Sequence, residues 1–368
     1  MCINKAIALT LVVVGLISLV AIQGAKSQSN GAIFINADGS VSGTSKIQRS
    51  GSLYTLADDI FDSPIIVQCN DIILDGAGFA LQGAAWWGTP PAINLTCSNV
   101  TVRNFYIVRW EVGVLGAYND NNIANNNITG CERAIAVYAD GYIVVGNHIA
   151  DNTYGVRIQG KSNIVQGNVI LYNDMGFWIT SSSGNLITAN HFEDNMIAVD
   201  TDYGGFQLYH NNFINQTVGS TGAWSAMILK TAYSLPEANN TFLTWDNAYP
   251  SGGNYWSDYA ARYPNASAIN SSGIGDTPYL IGTYYAVNST TVNTYIVDAI
   301  DRYPLLAPFD IAEISMPSPS HASSSSPPIS PSPTIPEFPS WIVLSLLVVS
   351  TVSLLSWVKQ NRWREGKT

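Results

Sequence analysis

The sequence predicts an all-β fold, a parallel β-helix, and three observations carry that expectation. Short segments of one kind recur at a fixed spacing, their apolar positions alternate with period two, and Gly and Asn punctuate the joints between them. Residues 125–137 (NNNITGCERAIAV), 146–158 (GNHIADNTYGVRI), 167–179 (GNVILYNDMGFWI) and 189–200 (ANHFEDNMIAVD) lie under one another, and their anchoring asparagines Asn126, Asn147, Asn168 and Asn190 are 21 or 22 residues apart. A period of that length marks a solenoid in which each repeat stacks only on its neighbours. A leucine-rich repeat would need Leu at several fixed positions and a helical arm, whereas these segments use Ile, Val and Phe and hold hardly a helix-forming stretch. Pairs such as Ile143 and Val145, or Val156 and Ile158, give the period-two signature of strands with one face inward.

Taken in chain order, Lys5 precedes an apolar run, residues 6–25, that ends in Gly24 and Ala25, so residues 1–25 read as a cleaved signal peptide. Residues 32–250 form the β-helix and 251–310 an aromatic C-terminal cap. Residues 311–337 are rich in Pro and Ser, which favours an extended stalk over a core. Residues 338–358 carry no charge and, at about 1.5 Å per residue, reach about 30 Å, the thickness of a bilayer core. Trp341 and Trp357 sit near the ends of this expected transmembrane helix, and Lys359, Arg362, Arg364 and Lys367 follow in a basic tail, 359–368. The positive-inside rule makes that tail cytoplasmic and the β-helix extracellular, a single-pass protein of the cell membrane. Asn-x-Ser/Thr sequons at Asn94, Asn99, Asn127, Asn215, Asn239, Asn265, Asn270 and Asn288 agree with an exported glycoprotein. A net charge of −10 and a pI near 4.7 argue against a nucleic-acid partner.

Equivalent residues of adjacent coils lie about 4.8 Å apart, so the alignment defines columns. Cys131, Asn152, Asn173 and Asn195 form a corner ladder in which amides bond up the stack, and Ile135, Val156, Phe177 and Val199 form a core column. Ala136, Arg157, Trp178 and Asp200 form a column expected to point outward. Cys69 and Cys97 fall on consecutive coils, within the Cα range of a disulfide, and are a candidate pair. Residues 82–91 (QGAAWWGTPP) read as an insertion at a turn whose Trp86 and Trp87, with Trp110, would cover an upper coil.

Residues 72–83 (IILDGAGFALQG), followed by repeats of the form N-x-I-x-x-N-x-x-G-I, resemble the opening of secreted right-handed β-helix proteins of the NosD and carbohydrate-binding/sugar-hydrolase (CASH) group. The segments GGNYWSDY (252–259), GIGDTPYLI (273–281) and DRYPLL (301–306) are similar to the block that closes many such helices. The resemblance implies a right-handed solenoid and, from the family name, copper. Relatives often carry an Asp- and Gly-rich run before GIGDTPY that suits Ca²⁺, but residues 260–272 here hold no acidic side chain, so no calcium site is carried over. PEFPSW before the last apolar run resembles the anchor of many archaeal surface proteins.

For copper, His148 and His191 share a column two coils apart, about 9.6 Å at the coil interval, with Val169 between them, and no Met or Cys cluster completes a soft site. For hydrolysis, two carboxylates must face each other across a groove; Asp151 and Asp194 share a column but sit two coils apart at a corner. Binding is better supported, because Arg157 can lie against Trp178 in a cation–π contact, with Asp200 next in the column, a surface suited to a sugar ring. The leading expectation is a non-enzymatic envelope module that binds glycan or a cell-surface protein and needs no cofactor. The alternatives are a polysaccharide hydrolase or lyase and a copper-binding maturation protein.

Overall fold

The computed structural model describes residues 31–180, 183–201, 205–216, 243–285 and 294–311; the N-terminal apolar run, the stalk, the C-terminal apolar run and the basic tail lie outside them. Alternating β-branched residues take the chain through three sheets in turn, each nine-stranded, with successive coils adding one parallel strand to each. The result is a parallel β-helix of the right-handed type. The only α-helix among the described residues is Tyr259–Arg262, one turn long.

Register follows the repeat. In the first sheet Ile93, Val114, Ile135, Val156, Phe177 and Val199 stack on one another as one inward column, and all are buried. The coil between Ile65 and Ile93 is longer than the 21-residue period because the insertion falls within it, between the strands Ala80–Gln82 and Ile93–Leu95. Trp110 does not cover that coil from outside: it is buried in the core, and its Nε1 donates to Leu81 O at 2.9 Å. Gly83 makes room for it, since a Cβ there would meet Arg109 O and the indole.

The corners are held by amide ladders. Asn126, Asn147, Asn168, Asn190 and Asn211 each present their main-chain N–H and Nδ2 to the Oδ1 of the asparagine one coil further on, ending at Asn254. The residue before each is left-handed, with φ of 54° at Asn125, 64° at Gly146, 65° at Gly167, 53° at Ala189 and 58° at His210, which is why Gly and Asn recur there. The ladder expected at the second corner is present: Cys131 N, Asn152 and Asn173 donate up to Asn195, which continues to Gln216. A third ladder runs through Asn121, Asn163 and Asn185, with Tyr142 in one coil; Val100 N donates to Asn121 Oδ1, Asn121 Nδ2 to the Tyr142 hydroxyl, Tyr142 N to Asn163 Oδ1 and Asn163 N to Asn185 Oδ1. Apart from the unpartnered Asn163 Nδ2, these buried amides bond one another and turn carbonyls that would otherwise be stranded.

Both ends of the core are covered. At the N-terminal end Val41–Ser42 and Ile47–Ser50 fold back antiparallel on the first coil, and the buried Tyr54 donates its hydroxyl to Gly39 O. At the C-terminal end Phe192, Phe213 and Trp256 continue the inward column of the third sheet from Ile149 and Ile170, and with Tyr279 they form a ring stack with centroids 5.0, 4.5 and 4.3 Å apart. The strand Tyr255–Trp256 is itself the last rung of the third sheet. The aromatic C-terminal block is therefore one interlocked unit. Asp301 accepts from Asn254 N, Trp256 Nε1 and Tyr303 N; Gly253 leaves space for that carboxylate, Gly275 for the Tyr259 hydroxyl, and Asp246 takes a bidentate contact from Arg302.

Candidate functional site

The outward column of the first sheet is in the expected register, with Asn94, Leu115, Ala136, Arg157, Trp178 and Asp200 on consecutive strands. The Arg157 guanidinium lies 4.1 Å from the Trp178 ring centroid and 5.2 Å from that of Tyr138, between the two rings. Its Nη1 donates to the Tyr138 hydroxyl at 3.1 Å, which fixes its plane. Tyr154, from the neighbouring outward column, stacks on Trp178 at 5.4 Å and 27°. Arg157 Nε and Trp178 Nε1 are buried and have no hydrogen-bond partner.

Asp200 departs from the expectation. It is 3% exposed and already engaged, because every residue of its strand Ile197–Thr201 is buried. Column alignment gives the direction of a side chain but not the depth of its surroundings. Arg157 and Trp178 remain half-buried at the surface, so the candidate face is an arginine held among three aromatic rings, without the aspartate.

Further along the same face the structure assembles groups that the column reading did not single out. Glu111 and Glu132 directly precede the paired residues Val112 and Arg133 on adjacent strands. Both contact one atom, Arg133 Nη2, at 3.4 and 3.3 Å. Glu111 Oε2 also accepts from Gly88 N at 3.1 Å, and Glu111 N donates to Thr89 Oγ1 at 2.9 Å, which ties the Trp-bearing insertion to this corner. Trp86 and Trp87 meet edge to face at 6.3 Å and are 52% and 68% exposed; rather than covering a coil, they stand out from it. Burial opposes the charge of Arg133, but the charge of Glu132 and the hydrogen bond that Arg133 donates to it help to outweigh burial and raise its pKa. Arg133 pairs across the sheet with Tyr154, which stacks on Trp178, so the strip runs along the first sheet from the insertion to Trp178.

Cys69 and Cys97 stack on adjacent coils as expected, but both are free thiols. This corrects the candidate disulfide: Cys97 Sγ turns to Val67 O and Cys69 O, and Cys69 Sγ to Asn70 O, so the two sulfurs use main-chain acceptors instead of each other. Burial pushes the Cys97 thiol up to about 12 and the Cys131 thiol up to about 11. Of the sequons, Asn99, Asn127, Asn215, Asn265 and Asn270 are exposed and Asn94 is half-buried; Asn239 and Asn288 lie outside the described residues.

A copper ion does not fit the groups present. Val169 does separate His148 from His191, and His191 Nε2 pairs with Glu193 Oε2 at 2.9 Å. His210 bonds Ser251 O and stacks on Phe309, and His321 lies outside the described residues. Among the described residues no three His, Cys, Asp or Glu side chains converge, and the buried thiols are held protonated. Asp151 and Asp194 occupy left-handed corner positions, φ 57° and 50°, as turn residues do.

A family model described as periplasmic copper-binding protein (NosD) matches residues 72–261. No match to this chain is found among curated proteins. Among solved structures, a tailspike protein double mutant of E. coli bacteriophage HK620 matches at 13% identity with a TM-score of 0.34, over 55% of this chain and 45% of the tailspike chain. The chain thus spans less than half the length of that tailspike.

Proposed function

We propose, for a chain that belongs to the NosD family of periplasmic copper-binding proteins, that its outer first sheet is a carbohydrate-binding face and that the protein is a non-enzymatic surface module. The observation that carries this is the arginine held between Tyr138 and Trp178, with Tyr154 stacked alongside. Aromatic faces stack on the apolar sides of a sugar ring, and a plane-fixed guanidinium donates to its hydroxyls. A flat sheet suits an extended chain, because coils repeat every ~4.8 Å. The uncharged run 338–358 and the basic tail support anchoring in the cell membrane with the β-helix outside.

A hydrolase is the second reading, favoured by the proximity of Glu111 and Glu132, which lie on adjacent coils as the paired carboxylates of retaining enzymes do at about 5 Å. Both turn to a single cation, Arg133 Nη2, rather than to each other across a space for a substrate, and binding is the better account.

The test is a glycan-array screen of the full chain beside an Arg157→Ala, Trp178→Ala double variant, with release of products followed by mass spectrometry. Binding without products, lost in the double variant, is the expected result. Binding unaffected by the double variant would remove the face from the account, and released products would replace the module with an enzyme.

A further inference from the structure

The insertion that lengthens one coil presents two adjacent indoles to solvent, 52% and 68% exposed. Single exposed apolar residues need no explanation, but a contiguous aromatic pair on a fixed loop does. This loop is fixed: besides the Gly88 and Thr89 bonds to Glu111, Thr89 Oγ1 donates to Ala85 O at 3.3 Å, closing the turn across Trp86 and Trp87. The indoles are thereby held one residue from a carboxylate.

The charge of that corner is decided by counting its groups. Glu111 and Glu132 are balanced by a single cation, Arg133. Of the two, Glu111 is the more open carboxylate, its side chain 32% exposed against 16% for Glu132. The ion-paired cluster therefore holds one carboxylate more than it has cations, beside two exposed π faces. Tryptophan is the best π partner for a cation, and a carboxylate favours a charged donor. The other end of the strip, around Arg157, offers a guanidinium instead.

We propose that the Trp86–Trp87 insertion with Glu111, Glu132 and Arg133 forms a subsite for a hexosamine carrying a free ammonium group. This rests on the reading of the first sheet as a glycan face and specifies which sugar its insertion end takes. The ammonium lies between indole face and carboxylate, while the pyranose ring covers an indole. N-acetylation removes the charge and a uronate reverses it, so both are discriminated against.

The test is isothermal titration of the full chain with a β-1,4-linked glucosamine tetrasaccharide, its N-acetylated form and a tetragalacturonate, for the native protein, Trp87→Ala, Glu132→Gln and the Arg157→Ala, Trp178→Ala variant. Trp87 is exposed, so its truncation leaves the fold intact, and Glu132→Gln keeps shape while removing charge. The glucosamine oligomer should bind at least about tenfold more tightly than the acetylated one, with no uronate binding, and each corner variant should weaken it at least about tenfold. Equal affinity for the acetylated oligomer, no glucosamine binding, or insensitivity to both Trp87→Ala and Glu132→Gln would overturn the subsite. If other glycans still bind in a manner lost with Arg157→Ala, Trp178→Ala, the general face survives that failure; if no glycan binds, both readings fall.

Discussion

The amide ladder at the first corner makes a quantitative prediction through Asn168, whose side chain is fully buried. Its Oδ1 accepts from Asn147 N and Asn147 Nδ2, both at 2.9 Å, and its Nδ2 donates to Val144 O, Gln166 O and Asn190 Oδ1 at 2.9, 3.1 and 2.9 Å. Asn168→Ala removes all five bonds at once and strands the Asn147 N–H, for which no other acceptor is present, in the protein interior. At about 1–3 kcal/mol for an orphaned buried donor and about 1 kcal/mol for each further bond in excess of what its partners keep, the loss is about 3–5 kcal/mol. Urea unfolding with linear extrapolation measures it, with the exposed Gln207→Ala as a control expected to stay within about 0.5 kcal/mol. Asn168→Asp sharpens the test, because it keeps the acceptor but faces Val144 O, Gln166 O and Asn190 Oδ1 with a negative charge. Its folded pKa would be raised, so its stability would be greatest in acid and lost as pH rises through that value. An Asn168→Ala penalty below about 1 kcal/mol, or one equal to the control, would refute the idea that the ladder holds the corners.

Two more outcomes follow from titratable groups. Burial pushes the Asp301 carboxyl up to about 7 from 3.8, against the donors Asn254 N, Trp256 Nε1 and Tyr303 N that pull it down. Between about 4 and 7 the folded state holds a proton the unfolded chain has released, so stability should fall as pH rises across that window, and Asp301→Asn should flatten the slope in urea titrations at successive pH values; an unchanged slope would contradict it. In the folded chain at pH 8, Cys69, half-buried, should be alkylated, whereas Cys97 and Cys131, with thiols raised by burial, should react only on unfolding. Mass spectrometry of labelled peptides reads this directly, and rapid labelling of Cys97 would show the buried environment to be wrong.

What the sequence revealed was the part that repeats. The columns through Asn126, Cys131, Ile135 and Arg157 follow from an offset of 21 or 22 residues, and parallel pairing then leaves no freedom of register. The third ladder was hidden because Tyr142 interrupts it, its hydroxyl taking the place of an amide, with Gly116 opening the space for its ring. Within the candidate site Arg157 and Trp178 were legible as vertical neighbours, but Tyr138 follows its strand and Tyr154 stacks diagonally, so neither shares their column. Glu111 and Glu132 do repeat at the coil interval, yet they begin one coil before the clearest repeats, next to an insertion that breaks the period. The burial of Asp200 and the unbonded state of Cys69 and Cys97 are matters of tertiary depth and side-chain rotation, which spacing does not carry.

The central claim is that ligand lies on the outer first sheet, and hydroxyl-radical footprinting of the full chain tests it most directly, with and without the polysaccharide that gives the strongest array signal. Trp86, Trp87, Tyr154 and Trp178 should be protected, while the exposed Tyr106, Tyr118 and Tyr172, on the third sheet and at corners of the solenoid, should be oxidised as before. Protection of Tyr106 or Tyr172 with Tyr154 and Trp178 unchanged would place the ligand on another face and contradict the account.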